Sequence, residues 1–162
     1  MEEKFFPVFI SMKNRQIWLI GAGNIALRRA AGLLDFGAVL TVIAPEISAG
    51  FYELQRTCGE ERLILEKKKF VPGSIPAEGL LFVLSATDDR ETDRAVYAEC
   101  KEKGIPVNIA SDQTMCDFQF PALIRQEDLV IGVNSGGRDH RKVRRISEKI
   151  RKWIGSLPTM EE

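Results

Sequence analysis

At 162 residues the chain is long enough for one domain with a real core, and 44% hydrophobic against 28% charged residues is the ordinary balance of a soluble globular protein. Lys+Arg and Asp+Glu are equal at 23 each, so no net field steers the chain toward nucleic acid or a membrane surface. Cys58, Cys100 and Cys116 are widely spaced with no C-x-x-C, which argues against a disulfide framework or a zinc site and suits small buried thiols in a reducing cytoplasm.

The N-terminus opens with Glu2, Glu3 and Lys4 and builds no long apolar run, so it reads as neither a signal peptide nor a membrane anchor. Gln16 to Ile20 is an apolar run halted by Gly21, a buried first strand. Ile25, Ala30, Leu33 and Leu34 recur at helical spacing between Asn24 and about Phe36, and Gly37 closes that helix. Val39 to Ile43 is a second strand, stopped by Ala44-Pro45, and Ser48 to about Thr57 predicts a short helix. Arg62 to Glu66 predicts a strand, followed by a loop punctuated by Pro72, Gly73 and Pro76. Leu80 to Leu84 is the strongest buried-strand signal and runs into Ser85-Ala86-Thr87-Asp88-Asp89, small and capping residues that start a helix over about Glu91 to Lys103. Val107 to Ala110 is a short strand, Leu129 to Val133 the last, and Arg138 to Trp153 a basic helix after Asn134-Ser135-Gly136-Gly137. This alternation specifies an α/β, Rossmann-like fold: a mainly parallel sheet with helices on both faces and a short C-terminal extension. The predicted division is residues 1–137 as the Rossmann domain and 138–162 as a basic helix and tail.

Gly21-Ala22-Gly23-Asn24-Ile25-Ala26 is a G-x-G-x-x-A between a strand and a helix, the context a pyrophosphate-binding turn requires. Gly21 permits the tight turn, Gly23 lets backbone approach a phosphate, and Ala26 allows close packing of helix on strand. An acid for the ribose hydroxyls belongs near the end of the second strand. There the sequence offers Pro45-Glu46, slightly late, either as the ribose partner or as a solvent-exposed loop carboxylate. No Arg or Lys stands there to pair with a 2′-phosphate, which favours NAD over NADP.

Phe6-Pro7-Val8-Phe9, the Gly21 to Ala26 turn, Val42 to Glu46, Ala86 to Asp89, Val107-Asn108, Cys116-Asp117-Phe118 with Phe120-Pro121-Ala122, and Ser135-Gly136-Gly137 follow one another in the order of the siroheme synthase N-terminal family. From about Phe5 to Trp153 the chain resembles a precorrin-2 dehydrogenase domain. The resemblance implies NAD-dependent oxidation of precorrin-2 to sirohydrochlorin and, in some members, iron insertion. It places dinucleotide contacts on Asn24, Ile25, Pro45 and Glu46. The Thr87-Asp88 turn would lie at the sheet's C-terminal edge near the nicotinamide, and the same pair can serve as a helix cap.

Three departures from the family stand out. The resemblance implies an Asp just after the Val-Asn strand, with roles in dehydrogenation and chelation; that position is Ser111 here, and Asp112 follows it. Neighbouring side chains on extended backbone point to opposite sides, so Asp112 replaces the carboxylate only where the backbone turns; otherwise it is a loop residue. The Gly-Gly loop continues as Arg138-Asp139-His140 instead of the family's Ser-Pro. Ser135, Gly136, Gly137, Arg138 and His140 are accordingly the candidate substrate loop, with the basic residues of the following helix either meeting substrate carboxylates or forming a solvated face. The sequence also ends at Glu162, before the helical region with which family members dimerise and close the substrate site. The expectation is a more open site, or a partner (a second copy or another tetrapyrrole enzyme) that supplies the wall. The alternative function is a non-catalytic dinucleotide-binding scaffold beside such an enzyme. No metal site of the chain's own is predicted.

Overall fold

The computed structural model describes residues 5–157. Glu2, Glu3 and Lys4, and the tail from 158 to 162, lie outside the described residues. The described residues form two compact units: Val8–Phe118, and residues 119–157 together with 5–7.

In the first unit the order is β1 (Gln16–Ile20), α1 (Asn24–Asp35), β2 (Val39–Ala44), α2 (Ala49–Cys58), β3 (Leu63–Lys67), β4 (Leu80–Ser85), α3 (Arg90–Lys103) and β5 (Val107–Ile109). The strands make a five-stranded sheet in the order β3-β2-β1-β4-β5, parallel at every pairing. Their near-continuous apolar runs are explained by helices covering both faces. On one face Ile20, Ile43, Val83, Val107 and Ile109 pack with Val96 and Cys100 of α3. Ile17, Leu19, Leu40, Val42 and Leu84, of opposite parity, are fully buried on the other. There α1 lies, because its Arg29 reaches Asn108, whose neighbours Val107 and Ile109 point the opposite way. The fold is the doubly wound Rossmann arrangement expected from the alternation of elements.

The loop after β3 is tied to α3 by Glu99. Its carboxylate accepts from the backbone N–H groups of Gly73 and Ile75, each at 2.8 Å, and from Lys103 Nζ at 2.6 Å. Burial pushes the Glu99 carboxyl up, but Lys103 and the two N–H groups more than offset it, leaving it below the ordinary carboxylate range. Burial also pushes the Cys100 thiol up, to about 12.

The second unit departs from the sequence reading. Leu129–Val133 (β7) is a strand, but it pairs antiparallel with β6 (Ala122–Gln126) in a separate two-stranded sheet. The sequence reading passes over β6 because only Ile124 of its centre is buried, with Leu123 and Arg125 exposed on either side. Its tight turn is also Glu127-Asp128, with Glu127 at φ 54°, rather than the Asn-Gly or Asp-Gly that marks a hairpin. Helix α4 (His140–Gly155) packs on this hairpin, and Arg151 donates to the carbonyl of Leu123 at 3.0 Å. The hairpin therefore groups with the basic helix, ahead of the residue 137/138 boundary read from sequence. No helix among the described residues is long and apolar enough to cross a membrane.

Candidate functional site

In the strand order, β2 and β3 lie to one side of β1 and β4 and β5 to the other, so the C-terminal ends of β1 and β4 flank the topological switch point, where doubly wound sheets bind ligands. The loops leaving these two strands touch. Gly21 has φ +99°, and a Cβ on it would sit 2.4 Å from the carbonyl oxygen of Ala86. Gly21 is thus required twice, by its backbone conformation and by the neighbouring loop. Gly23 is the opposite case: its φ is −83°, and nothing lies within 4 Å of a Cβ built there. It is the N-cap of α1, with no side-chain cap and no acidic residue in the first turn. The first N–H groups of α1 and their positive end of the helix dipole are left to a ligand, and the open side of Gly23 is the space a pyrophosphate needs. Asn24 and Ile25 are exposed beside it, while Ala26 is fully buried where helix meets strand. These residues fit a dinucleotide.

Pro45 and Glu46, both exposed, follow β2 at the same edge of the sheet. After β4, Thr87 is half-buried and Asp88 exposed. The N-cap of α3 is Asp89, which accepts from the N–H of Glu91 at 3.0 Å and from Thr92 Oγ1 at 2.7 Å. The Thr92 hydroxyl, then the Glu91 N–H, hold its carboxyl below the usual range. Capping is thus met by Asp89, and the Asp88 side chain stands outside it.

Ser111 and Asp112 follow β5 directly after Ala110. The backbone does turn: Asp112 N–H donates to the carbonyl of Ile109 at 3.3 Å. Asp112 then caps a 3-10 turn at Gln113–Met115, its Oδ1 accepting from Thr114 N–H at 2.9 Å and Thr114 Oγ1 at 2.7 Å. The Thr114 hydroxyl first, then its N–H, lowers the Asp112 carboxyl. Ser111 is exposed, and its hydroxyl donates inward to Asp93 Oδ2 at 2.6 Å. Asp93 is 1% exposed, and its Oδ1 accepts from Ser85 Oγ at 2.6 Å, with Thr87 Oγ1 at 3.2 Å. A buried carboxylate ringed by three hydroxyls therefore lies at the C-terminal edge of β4 and β5. The sequence reading does not single out Asp93. Its signal was a charged residue on the buried stripe of α3, at the i and i+3 spacing it shares with Val96.

Asn108 of the Val107-Asn108 motif is also accounted for. It accepts from Arg29 Nη1 at 2.8 Å and donates to the carbonyl of Phe118 at 2.7 Å, pinning the segment after β5 to α1. The candidate substrate loop belongs to the second unit. Gly136 and Gly137 have φ of 65° and 76°, and Gly136 N–H donates to Asn134 Oδ1 at 2.9 Å. Ser135 Oγ accepts from Asp139 N–H at 3.1 Å, and Asp139 in turn caps α4 by accepting from Lys142 N–H at 2.8 Å. Arg138 and His140 are exposed at the start of that helix. Of its basic residues, Arg144 is paired with Glu148 at 3.0 Å.

Comparison with known proteins agrees with this geometry. Residues 8–122 match the model of the family described as "Putative NAD(P)-binding". The chain is 36% identical over 151 residues to a siroheme synthase of Ectopseudomonas mendocina, covering 93% of this chain and 31% of that protein. With a siroheme synthase of Photorhabdus laumondii it is 34% identical over 157 residues, covering 96% and 32%. It spans about a third of the length of the curated relatives it matches. Among solved structures, "SirC, precorrin-2 dehydrogenase" superposes with a TM-score of 0.69 at 28% identity, over 91% of this chain and 70% of that one. The glycine turn, the uncapped start of α1 and the switch-point loops all fall within the matched residues, and the chain belongs to this NAD(P)-binding family.

Proposed function

We propose that the chain is an NAD-dependent dehydrogenase of siroheme synthesis that oxidises precorrin-2 to sirohydrochlorin. The observation that carries this reading is the switch-point edge, with Gly23 open and α1 uncapped, in a chain whose relatives are named siroheme synthase and precorrin-2 dehydrogenase. Gly21, Gly23, Asn24 and Ile25 would hold the pyrophosphate, Pro45 and Glu46 the adenosine ribose, and Thr87 and Asp88 the nicotinamide end. NAD bound there supplies the hydride acceptor for the oxidation. The exposed carboxylate of Glu46 disfavours a 2′-phosphate, so NAD is preferred over NADP. Ser135, Gly136, Gly137, Arg138 and His140 are assigned to the substrate, whose carboxylates suit Arg. Ser111 and Asp112 are the candidates for handling the released proton. Iron insertion would be a second reaction, with Fe(II) as substrate. The three free cysteines suit the cytoplasm, and a second copy or another tetrapyrrole enzyme is the partner to seek by sedimentation.

A second reading, a dinucleotide-binding scaffold without turnover, is favoured by Ser111 standing where the family carries Asp. One anaerobic experiment separates the two: precorrin-2 and NAD are mixed with the protein and sirohydrochlorin is followed by absorbance, with NAD binding measured by calorimetry. Turnover supports the dehydrogenase. NAD binding without sirohydrochlorin supports the scaffold, and absence of NAD binding overturns both.

A further inference from the structure

We propose that Asp93 is the terminal acceptor of the proton released in this oxidation and receives it through the hydroxyl of Ser111. The inference rests on the dehydrogenase reading. The Ser111 hydroxyl has one hydrogen and two lone pairs. Its hydrogen is directed inward to Asp93 Oδ2 at 2.6 Å, so an exposed Ser111 presents lone pairs outward. Asp93 is 1% exposed and meets substrate only by way of another group. The groups facing it are Ser85 at the end of β4, Thr87 in the following loop and Ser111 after β5, all neutral hydroxyls, and no cation is among its partners within the described residues.

Burying a carboxylate against neutral partners is costly, and ionisable groups buried in this way concentrate at sites of proton chemistry. Asp93 also lies in the first turn and a half of α3, at the edge of the sheet that carries the glycine turn. Asp112, the neighbouring carboxylate in sequence, is occupied by Thr114, whose hydroxyl and N–H hold its carboxyl below the ordinary range.

The step balances. The substrate loses two hydrogens, one leaving with its electron pair as hydride to the dinucleotide and the other as a proton to Ser111 Oγ. As the new O–H bond forms, the bond from Ser111 Oγ to its original hydrogen breaks and that hydrogen passes to Asp93 Oδ2. Ser111 stays neutral, Asp93 becomes a neutral acid, and the proton later returns to water by the same passage. Asp93 is a positioning residue in the sense that it acts through Ser111.

The test is anaerobic steady-state kinetics with precorrin-2 and NAD on the full chain and on Asp93→Asn, Ser111→Ala and the double variant. Each is expected to lower kcat by about 10²–10⁴-fold, the range of a positioned base. The double variant should be no worse than the more damaging single, with KM for precorrin-2 and Kd for NAD within about twofold of the parent. Ser111→Asp placed in the Asp93→Asn background should recover at least about tenfold of the lost kcat. Ser111→Ala leaves Asp93 held by Ser85 and Thr87, so it reports on the relay even if Asp93→Asn fails to fold. Retention of kcat within about threefold by Asp93→Asn or Ser111→Ala, or a kcat loss in Asp93→Asn that Ser111→Ala does not share, overturns the relay and leaves a structural clasp. A parent that binds NAD but forms no sirohydrochlorin overturns the dehydrogenase reading and the relay with it. A parent that turns over beside unaffected variants removes the relay only.

Discussion

Gly21 and Gly23 stand two residues apart and answer to different neighbours. Gly21 is closed in by the carbonyl of Ala86 at positive φ, whereas Gly23 faces open space at a φ any residue adopts. Gly21→Ala should therefore destabilise the fold by about 3 kcal/mol or more, from strain and overlap together, read by denaturant unfolding. Gly23→Ala should leave stability within about 0.5 kcal/mol but reduce NAD affinity at least about tenfold by calorimetry, a loss of about 1.4 kcal/mol. If Gly23→Ala binds NAD like the parent, the turn is structural only. Glu46 is tested by competition between cofactors: NAD should bind more tightly than NADP, and Glu46→Arg should narrow or reverse the preference; equal affinities in the parent would remove Glu46 from the ribose site. The glycine turn was legible because its chemistry is confined to six consecutive residues. Asp93 was not, because its meaning comes from Ser85 and Thr87 at the end of β4 and from Ser111 after β5, two segments that the β4–β5 pairing brings to one carboxylate.

The same contrast holds for whole elements. β1, β2 and β4 could be read directly, since strands buried on both faces are written as unbroken apolar runs. β6 could not, because a half-exposed strand behind an unusual turn carries little local signal. The Glu99 clamp between α3 and the loop after β3 is likewise invisible in sequence and has a measurable consequence. Glu99→Ala strands the N–H groups of Gly73 and Ile75, and should cost about 2 kcal/mol or more in unfolding free energy. The folded-state carboxyl of Glu99 lies below its unfolded value of about 4.3, so its contribution is present above that pH and is lost as pH falls through the lower folded value. Glu99→Gln should accordingly lose less melting temperature than the parent between about pH 6 and pH 4, as followed by circular dichroism. Equal acid sensitivity would mean that the clamp is not ionised in the fold.

At the scale of the molecule, alternation of strands and helices foretold a parallel sheet, but not which strands would be neighbours. The order β3-β2-β1-β4-β5 arises because the chain runs outward from β1 through β2 and β3 and then returns to pair β4 with the other side of β1. That reversal gathers loops distant in sequence at one edge, so ligand binding there should hold the folded state as a whole. At a free NAD concentration of about 100 times Kd, stabilisation of about 2.7 kcal/mol is expected. For a chain of this length that raises Tm by about 5–10 °C, and NADP at the same concentration should raise it less. An unchanged Tm under saturating NAD would show that the cofactor does not select the folded state. The hydroxyl ring around Asp93 finally constrains which evolutionary routes remain open to this sequence. Ser111→Asp alone would set two carboxylates against each other where a hydroxyl and a carboxylate now lie 2.6 Å apart, whereas the same change after Asp93→Asn meets an amide that can donate to it. The two positions are therefore coupled, and an acid is accommodated at position 111 only where the one at 93 is gone.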